Sequence, residues 1–208
     1  STWQVADIRN GSDDSFPGYE MDPILVGDTI YFDADDGNNG RELWAHDTSN
    51  QSTWQVADIS SGGISSRPGD HMKPILVGDT LYFDADDGID GRELWAHDTS
   101  NHSTWQVADI RIGMYDSDPG DYMKPILVGD RLYFDADDGN DGTEMWVHDT
   151  SNHSTWKVAD INNRGVHSYP GLNIDPILVG DTIYFDASGD DAGTELWAMR
   201  IEHSITYN

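Results

Sequence analysis

The chain repeats one sequence unit four times without an insertion. The tryptophans of a Ser-Thr-Trp triplet recur every 51 residues, at Trp3, Trp54, Trp105 and Trp156. The same step separates Pro23, Pro74, Pro125 and Pro176, and a second tryptophan set at Trp44, Trp95, Trp146 and Trp197. A fixed period of this length is typical of repeat architectures, in which one supersecondary unit stacks on copies of itself. We therefore treat 1–51, 52–102, 103–153 and 154–208 as four repeats of a single domain, 1–208.

Each repeat reads as four short strands. Residues 23–26 are apolar and end at Gly27-Asp28, and residues 29–34 are rich in β-branched and aromatic side chains, so this pair predicts a tight hairpin. A turn rich in Asp, Asn and Gly follows at 36–40, then a third strand at 42–46 and a fourth from Ser52 to Ile59. No segment has helical periodicity over a useful length.

Four antiparallel strands repeated at this interval predict an all-β fold, a four-bladed β-propeller in which each blade buries its apolar faces against its neighbours. The chain opens with a fourth-strand sequence and ends with a repeat that lacks a clean one. Thr2 to Ile8 is therefore predicted to be the N-terminal strand that closes the last blade. Ile205-Thr206-Tyr207 is a competitor for that position, and an open solenoid is the alternative architecture.

The segment Glu42 to Thr53, with the sequence ELWAHDTSNQST, resembles the ELWxxDGTxxGT repeat of secreted and surface proteins. The similarity extends over essentially the whole chain, although Thr48 and Ser52 stand where the family has glycine. This resemblance implies an extracellular, β-propeller-like array. It implies no particular activity.

The composition argues against some partners. Asp and Glu number 39 against 11 Lys and Arg, which gives a formal net charge of −28. This charge argues against nucleic acid and disfavours anionic membranes as partners, because binding them needs clustered Lys and Arg. No apolar run approaches the roughly 20 residues that cross a bilayer, so membrane insertion is not expected.

The acidic turns are candidate Ca²⁺ sites. Calcium takes oxygen ligands from carboxylates and carbonyls, and these turns place several Asp side chains beside a Gly turn. The alternative is that the aspartates terminate strands and form turns. Strand alternation puts Asp33 and Asp35 on one face and Asp36 on the other, so one ion would not collect all three unaided. The candidate ligands are Asp33, Asp35, Asp36, Asp84, Asp86, Asp87, Asp135, Asp137 and Asp138.

Tryptophan and histidine recur at mid-strand positions. Rings of this kind stack on the apolar faces of sugars, but tryptophans that recur at the same mid-strand position of each repeat more often fill the space between blades. His46, His97 and His148 recur as well. A zinc site would need these side chains to converge from separate blades.

The linkers between repeats, residues 9–22, 60–73, 111–124 and 162–175, are where the copies differ most. Variable loops on a repeated scaffold are where binding specificity usually resides, although drift would also produce the variation. Because successive antiparallel strands alternate in direction, the linkers and the acidic turns between the second and third strands lie at the same end of each blade. The candidate ligand-binding residues in them are Tyr19, Arg67, His71, Tyr122, His167 and Tyr169.

No catalytic motif is present: the sequence has no GxSxG, no HExxH, no P-loop and no cysteine. We expect a non-enzymatic, secreted, lectin-like protein that binds carbohydrate or glycoconjugates at several equivalent sites, with Ca²⁺ as a candidate cofactor and self-association into a homo-oligomer. The alternative is an acidic Ca²⁺-binding structural, adhesive or storage protein. An enzyme that acts on glycans is the third interpretation.

Overall fold

The structure is a computed structural model that describes residues 1–190 and 193–201. In this part of the chain there are fifteen strands and no helix. In chain order the strands are β1 Ile24–Val26, β2 Thr29–Asp35, β3 Arg41–Asp47, β4 Ser52–Ala57, β5 Ile75–Val77, β6 Thr80–Asp86, β7 Arg92–Asp98, β8 Ser103–Ala108, β9 Ile126–Val128, β10 Arg131–Asp137, β11 Thr143–Asp149, β12 Ser154–Ala159, β13 Ile177–Val179, β14 Thr182–Gly189 and β15 Gly193–Arg200. The described residues therefore contain no helix that could cross a membrane.

Consecutive strands form each antiparallel sheet, with three strands from one repeat and, in the first three sheets, the fourth from the start of the next. From here on, each repeat is named by its sheet, so that the first repeat includes β4, the second β8 and the third β12. Three sheets have four strands, in the orders β1-β2-β3-β4, β5-β6-β7-β8 and β9-β10-β11-β12, and the last has three, β13-β14-β15. This meander is the strand order of a propeller blade. The predicted all-β class and the four strands of the first three repeats are confirmed.

The first hairpin shows why the sequence folds locally in this way. Val26 pairs with Thr29 across the two residues Gly27 and Asp28. Gly27 has a φ of +61°, which suits the first central position of a type II′ turn, where glycine is preferred. The pairing of β3 with β4 shifts register between Leu43 and Trp44, which is a β-bulge that the strand pattern did not predict.

The chain divides into two compact units, residues 1–119 and 120–208. In the first, the core brings Leu43 and Ala45 of one sheet together with Leu81 and Phe83 of the next. In the second, the core joins Tyr133 to side chains of β14 in the same way. Within each unit, two sheets thus bury their apolar faces against each other, and the second of these sheets belongs to the next repeat.

Four of the eight tryptophans lie in or against a core, as the strand positions predicted, whereas Trp3 and Trp156 are exposed. Trp44 is 9% exposed, and Trp54 and Trp95 pack against the core of the first unit. Trp197 packs against the core of the second unit.

The N-terminal segment differs from the prediction. Thr2 to Ile8 forms no strand, and Trp3 is 73% exposed. The sheet of β13 to β15 has no fourth strand in the described residues. A strand exists only where its backbone groups find a ladder partner, and this segment has none. The competing prediction for Ile205-Thr206-Tyr207 lies outside the described residues.

The two ends of each sheet are arranged as the alternating strand directions predicted. At one end, the Thr48 amide donates to the Asp28 carbonyl oxygen (2.8 Å), which joins the two hairpin turns. At the other end, the Asp35 amide donates to the Ser15 carbonyl oxygen (2.9 Å), which joins the acidic turn to the linker. The candidate ligand residues lie at this second end, which we call the linker face.

Candidate functional site

The linker face is organised by one buried aspartate in each repeat, Asp33, Asp84, Asp135 and Asp186. The carboxylate of Asp33 accepts a hydrogen bond from the Met21 amide (2.9 Å), and its backbone carbonyl accepts one from the Gly18 amide (2.8 Å). The other three aspartates accept the equivalent linker amides. Each aspartate therefore anchors the linker that leads into its own sheet.

An arginine neutralises this aspartate in the first two repeats. The Arg41 guanidinium donates to Asp33 (2.5 Å) and to the Phe16 carbonyl oxygen (2.8 Å). Arg92 donates to Asp84 (2.5 Å) and to the Arg67 carbonyl oxygen (3.0 Å). A buried carboxylate needs such a partner, because burial without one is costly. Sequence reasoning missed both arginines, although their 51-residue spacing in a chain with few cations was a usable signal.

The other two aspartates of each acidic turn have different partners. Asp35 pairs with Arg9 (2.9 Å) and accepts the Gly37 amide (2.6 Å). Asp36 accepts the amides of Asn38 and Asn39, both at 2.8 Å. The later turns keep the two amide-capping patterns, at Asp86, Asp87, Asp137 and Asp138.

These three carboxylates therefore do not converge as one set of calcium ligands. Among residues 1–190 and 193–201, no three His, Cys, Asp or Glu side chains are grouped to hold a metal ion. Calcium binding by these aspartates stays a prediction.

A buried glutamate in each of the first three repeats, Glu42, Glu93 and Glu144, holds the following linker. Glu42 accepts hydrogen bonds from the Ser66 hydroxyl (2.6 Å) and the Ile59 amide (2.8 Å). Burial raises the pKa of Glu42 to about 7, although these donors oppose the shift. Glu93 has the equivalent contacts with Ser117 and Ile110, and burial raises its pKa to about 7 as well. These glutamates hold the linker in place.

The repeated histidines are structural. The Nδ1 atoms of His46, His97 and His148 each lie 2.8 or 2.9 Å from a threonine hydroxyl of the neighbouring strand. Burial lowers the pKa of His97 to about 4, so this ring is neutral at pH 7. In the first unit His97 packs against Tyr31, with ring centroids 5.5 Å apart.

Four linker positions share a strained backbone while their side chains differ. Phe16, Arg67, Asp118 and Tyr169 have φ values between +46° and +48°. Left-handed backbone is unfavourable for residues other than glycine, and such strain is often found at functional sites. The chain thus keeps a side chain at a position where glycine would be less strained.

In the first repeat, Tyr19 is 72% exposed. The Arg41 guanidinium lies 5.1 Å from its ring centroid and also contacts Phe16. Glu20 lies beside the same guanidinium, at 3.6 Å. This is an exposed aromatic surface over an ion pair.

The second repeat has a polar cavity. Its volume is about 350 Å³, and its lining residues are Ile64, Ser65, Arg67, Asp86, Arg92 and Asp116. His71 lies close by, with its Nδ1 3.3 Å from Asp118, and this contact raises the pKa of His71. Arg67 and His71 are thus brought together on this part of the linker face, as candidate ligand residues of one site.

The other three predicted residues lie beside the third sheet, with Tyr122 in the linker before it and His167 and Tyr169 in the linker after it. Tyr122 and Tyr169 meet edge to face, with ring centroids 4.9 Å apart, and His167 stacks on Tyr169 at 4.8 Å. His167 Nδ1 also accepts a hydrogen bond from the Thr143 amide (2.9 Å). The six predicted ligand residues therefore belong to three linker sites, two in the first unit and one in the second.

No family model and no curated protein matches this chain. Among solved structures, it is similar to a puromycin hydrolase at 13% identity and a TM-score of 0.54, over 86% of this chain and 26% of that one. A puromycin-hydrolyzing peptidase of Mycobacterium tuberculosis is similar at 13% identity and a TM-score of 0.54, over 91% of this chain and 28% of that one. The chain spans about a quarter of the length of these proteins, and at this identity the similarity concerns the fold alone.

Proposed function

We propose that the protein is a non-enzymatic, secreted, lectin-like protein that binds carbohydrate on its linker face. The polar cavity of the second repeat carries this proposal. Its volume of about 350 Å³ falls in the range of small-molecule sites, which is roughly 300–1,000 Å³. Secretion rests on the ELWxxDGTxxGT resemblance.

The lining of this cavity suits sugar hydroxyls. Arg67 and Arg92 supply planar arrays of donors, and Asp86 and Asp116 supply acceptors. Charge-assisted hydrogen bonds of this kind are stronger than neutral ones and fix the orientation of a ligand. Arg67 is 58% exposed along its side chain, so a ligand can reach it.

The exposed aromatic residues of the other linkers supply the second element of sugar recognition. Tyr19 is 72% exposed and Phe16 50% exposed in the first linker, and Tyr115 is 64% exposed in the third. Such rings offer flat apolar surface to a pyranose face. Several related sites on one chain would raise the apparent affinity for a multivalent glycan.

We further propose that the four sheets close into a four-bladed ring in which Thr2 to Ile8 is the fourth strand of the last blade. Its sequence repeats that of β4, β8 and β12, and the edge of β15 lacks a partner among the described residues. A closed ring leaves no wide sheet edge exposed.

Glycan-array screening followed by calorimetric titration with the best sugar tests the carbohydrate proposal. Arg67→Ala and Asp116→Ala are expected to weaken binding at least 10-fold, because each removes a charged hydrogen-bonding group from the cavity. Ser61→Ala, an exposed change in the same linker outside the cavity, is the matched control. No binding on the array, or equal binding by the cavity variants, would overturn the proposal.

One observation favours calcium binding as a second function. In the third repeat the Lys157 ammonium pairs with Asp138 (3.2 Å) and with Asp141. In the second repeat Gln106 replaces that lysine, and burial and the charges of Asp90 and Asp87 raise the pKa of Asp109. A divalent cation would relieve this local repulsion.

Titration with CaCl₂ against NaCl at equal ionic strength tests this second function. Calcium is expected to bind and to raise the melting temperature beyond the effect of NaCl. Gln106→Lys, which copies the third repeat, is expected to remove that additional effect. Equal effects of the two salts on the unmodified protein would rule out a specific site.

A further inference from the structure

Asp135 is the equivalent of Asp33 and Asp84 in the third repeat. It still accepts a hydrogen bond from its linker, but Thr143 stands where the first two repeats have an arginine. In the strand pairing, Thr143 lies opposite Asp137, where Arg41 lies opposite Asp35 in the first repeat. Asp135 has no exposed surface. Among the described residues its carboxylate accepts only the amides of Met123 (2.8 Å) and Tyr122 (3.2 Å).

The residues around Asp135 have changed together with the arginine. His167 replaces Asp116 of the preceding linker, Tyr122 replaces His71, and Tyr169 replaces Asp118. Asp118, which lies 3.9 Å from Arg92 in the second repeat, thus becomes an aromatic ring in the third. Asp70, which lies 3.4 Å from Arg92, is kept as Asp121, and burial together with the charge of Asp121 raises the pKa of Asp135. The three rings of the third repeat contact one another, and Tyr122 and Tyr169 are only partly buried.

The first repeat shows how a cation is held by this combination of groups. The Arg41 guanidinium lies between the Asp33 carboxylate, at 2.5 Å, and the Tyr19 ring, at 5.1 Å from its centroid. A cation over an aromatic face gains electrostatic attraction, and the gain increases when water is excluded. A carboxylate and aromatic rings are present in the third repeat, whereas the guanidinium is not.

The fourth repeat does not offer an equivalent site. Thr194 also replaces the arginine there, but the side-chain amide of Asn173 donates to Asp186 at 2.6 Å. This bond and two backbone amides lower the pKa of Asp186 against the effect of burial. At Asp135, by contrast, burial raises the pKa to about 7.

We propose that Asp135, Tyr122 and Tyr169 form a binding site for the cationic end of a ligand, an alkylguanidinium or alkylammonium group, which takes the position that Arg41 and Arg92 fill in the first two repeats. The Asp135 carboxylate neutralises the charge of the ligand, and the partly exposed rings of Tyr122 and Tyr169 cover the alkyl part of the ligand. The residues of this site belong to the second unit, whereas those of the sugar cavity belong to the first.

Methylguanidinium and methylammonium chloride are the probes, with NaCl at equal ionic strength as reference. Saturable binding of one equivalent to the full chain at pH 8.5 is expected, together with shifts of the Tyr122 and Tyr169 ring protons in NMR spectra. Affinity is expected to fall at least 10-fold at pH 5.5, where Asp135 is protonated. Absence of saturable binding, or binding that leaves both rings unshifted, would overturn the proposal.

Two variants assign the site. Thr143→Arg restores the residue of the first two repeats, so it is expected to abolish probe binding while retaining the melting temperature. Asp135→Asn keeps an acceptor for the linker amides and removes the charge, and it is expected to abolish binding as well. Unchanged probe affinity in either folded variant contradicts the assignment. Sugar binding is expected to persist in both, so a failure of this proposal is distinguishable from a failure of the lectin function.

Discussion

At the residue scale, one position of the linker has the same strained backbone in all four linkers but a different side chain in each. Phe16, Arg67, Asp118 and Tyr169 all adopt left-handed φ values. A purely structural turn would gain from glycine at this position, since glycine adopts positive φ without steric cost. We therefore infer that the side chains at this position are kept for the contacts that the side chains themselves make.

Arg67→Gly and Arg67→Ala separate backbone strain from side-chain function. Both remove the guanidinium, so both are expected to weaken sugar binding. Only glycine relieves the left-handed strain, and we expect Arg67→Gly to be more stable than Arg67→Ala by about 1 kcal/mol. Urea unfolding measures the difference. Equal stability of the two variants would show that φ at this position is not strained.

The buried glutamates give stability a pH dependence of unusual sign for carboxylates. The pKa of Glu93 rises from its ordinary 4.5 to about 7 in the folded state. The folded state thus binds the proton more tightly than the unfolded state, and stability falls as pH rises from about 4.5 to about 7. At about 1.4 kcal/mol per pKa unit, the loss for one such glutamate is on the order of 3 kcal/mol.

Glu93→Gln is therefore expected to flatten the dependence of stability on pH. The difference in the free energy of unfolding between pH 5 and pH 8, measured in urea, should shrink relative to the unmodified protein. Asp28→Asn, which removes one charge from an exposed turn, is the control and should leave the difference unchanged. An undiminished difference in Glu93→Gln would assign the pH dependence to other groups.

Sequence reasoning selected residues that the structure brings together, but it did not identify the partners of the buried aspartates. Tyr122, His167 and Tyr169 were selected as variable linker residues, and the structure does bring them together. Asp33 and Asp84 were selected as metal ligands, whereas the structure pairs them with Arg41 and Arg92. Which donor reaches a buried carboxylate depends on how the linker folds back over the strands, and local sequence does not determine that path.

At the element scale, the turn residues predict the first hairpin of each sheet, whereas contacts distant in sequence determine where the fourth strand ends. The first hairpin was predicted from Gly27-Asp28, and its strands pair as expected. The fourth strand was predicted to run to Ile59 but ends at Ala57. The Glu42 carboxylate accepts the Ile59 amide, which removes that donor from the ladder. This bond joins residues 17 apart and has no signal in a strand pattern.

Two glycines test how closely the acidic turn approaches the linker. A Cβ at Gly91 would lie 2.6 Å from the backbone carbonyl of Tyr115, whereas a Cβ at Gly62 would have no neighbour within 4 Å. Both have positive φ, so alanine adds a similar strain of roughly 1–2 kcal/mol at each.

Gly91→Ala is therefore expected to destabilise by at least about 2 kcal/mol more than Gly62→Ala, because backbone atoms must also move apart. The free energies of unfolding of the two variants, measured in urea, give the comparison. Similar losses in both would mean that the acidic turn and the linker are not in contact.

At the scale of the whole molecule, the sequence repeat predicts that the first strand-like segment, Thr2 to Ile8, pairs with the edge of β15. In the second unit, Met145, Phe185, Trp197 and Met199 line a mainly apolar groove of about 280 Å³. It lies beside β15, the strand that lacks a partner among the described residues. In the complete sheets, the tryptophan of the fourth strand lies opposite the residue equivalent to Ala198, as Trp54 lies opposite Ala45. By the same register, Trp3 is predicted to lie opposite Ala198.

Deletion of residues 1–6 tests ring closure, because these residues are largely exposed in the structure while Ile8, which packs against Trp44 and Phe32, is kept. If the segment supplies a fourth strand, deletion removes a ladder and a buried tryptophan, and the melting temperature should fall by several degrees. Trp3→Ala should then cost about as much as Trp54→Ala, on the order of 3 kcal/mol, at every protein concentration tested. If both the deletion and Trp3→Ala leave the melting temperature unchanged, the first strand does not close the last blade. A loss that appears only at high protein concentration would instead place this strand on the β15 edge of a second copy.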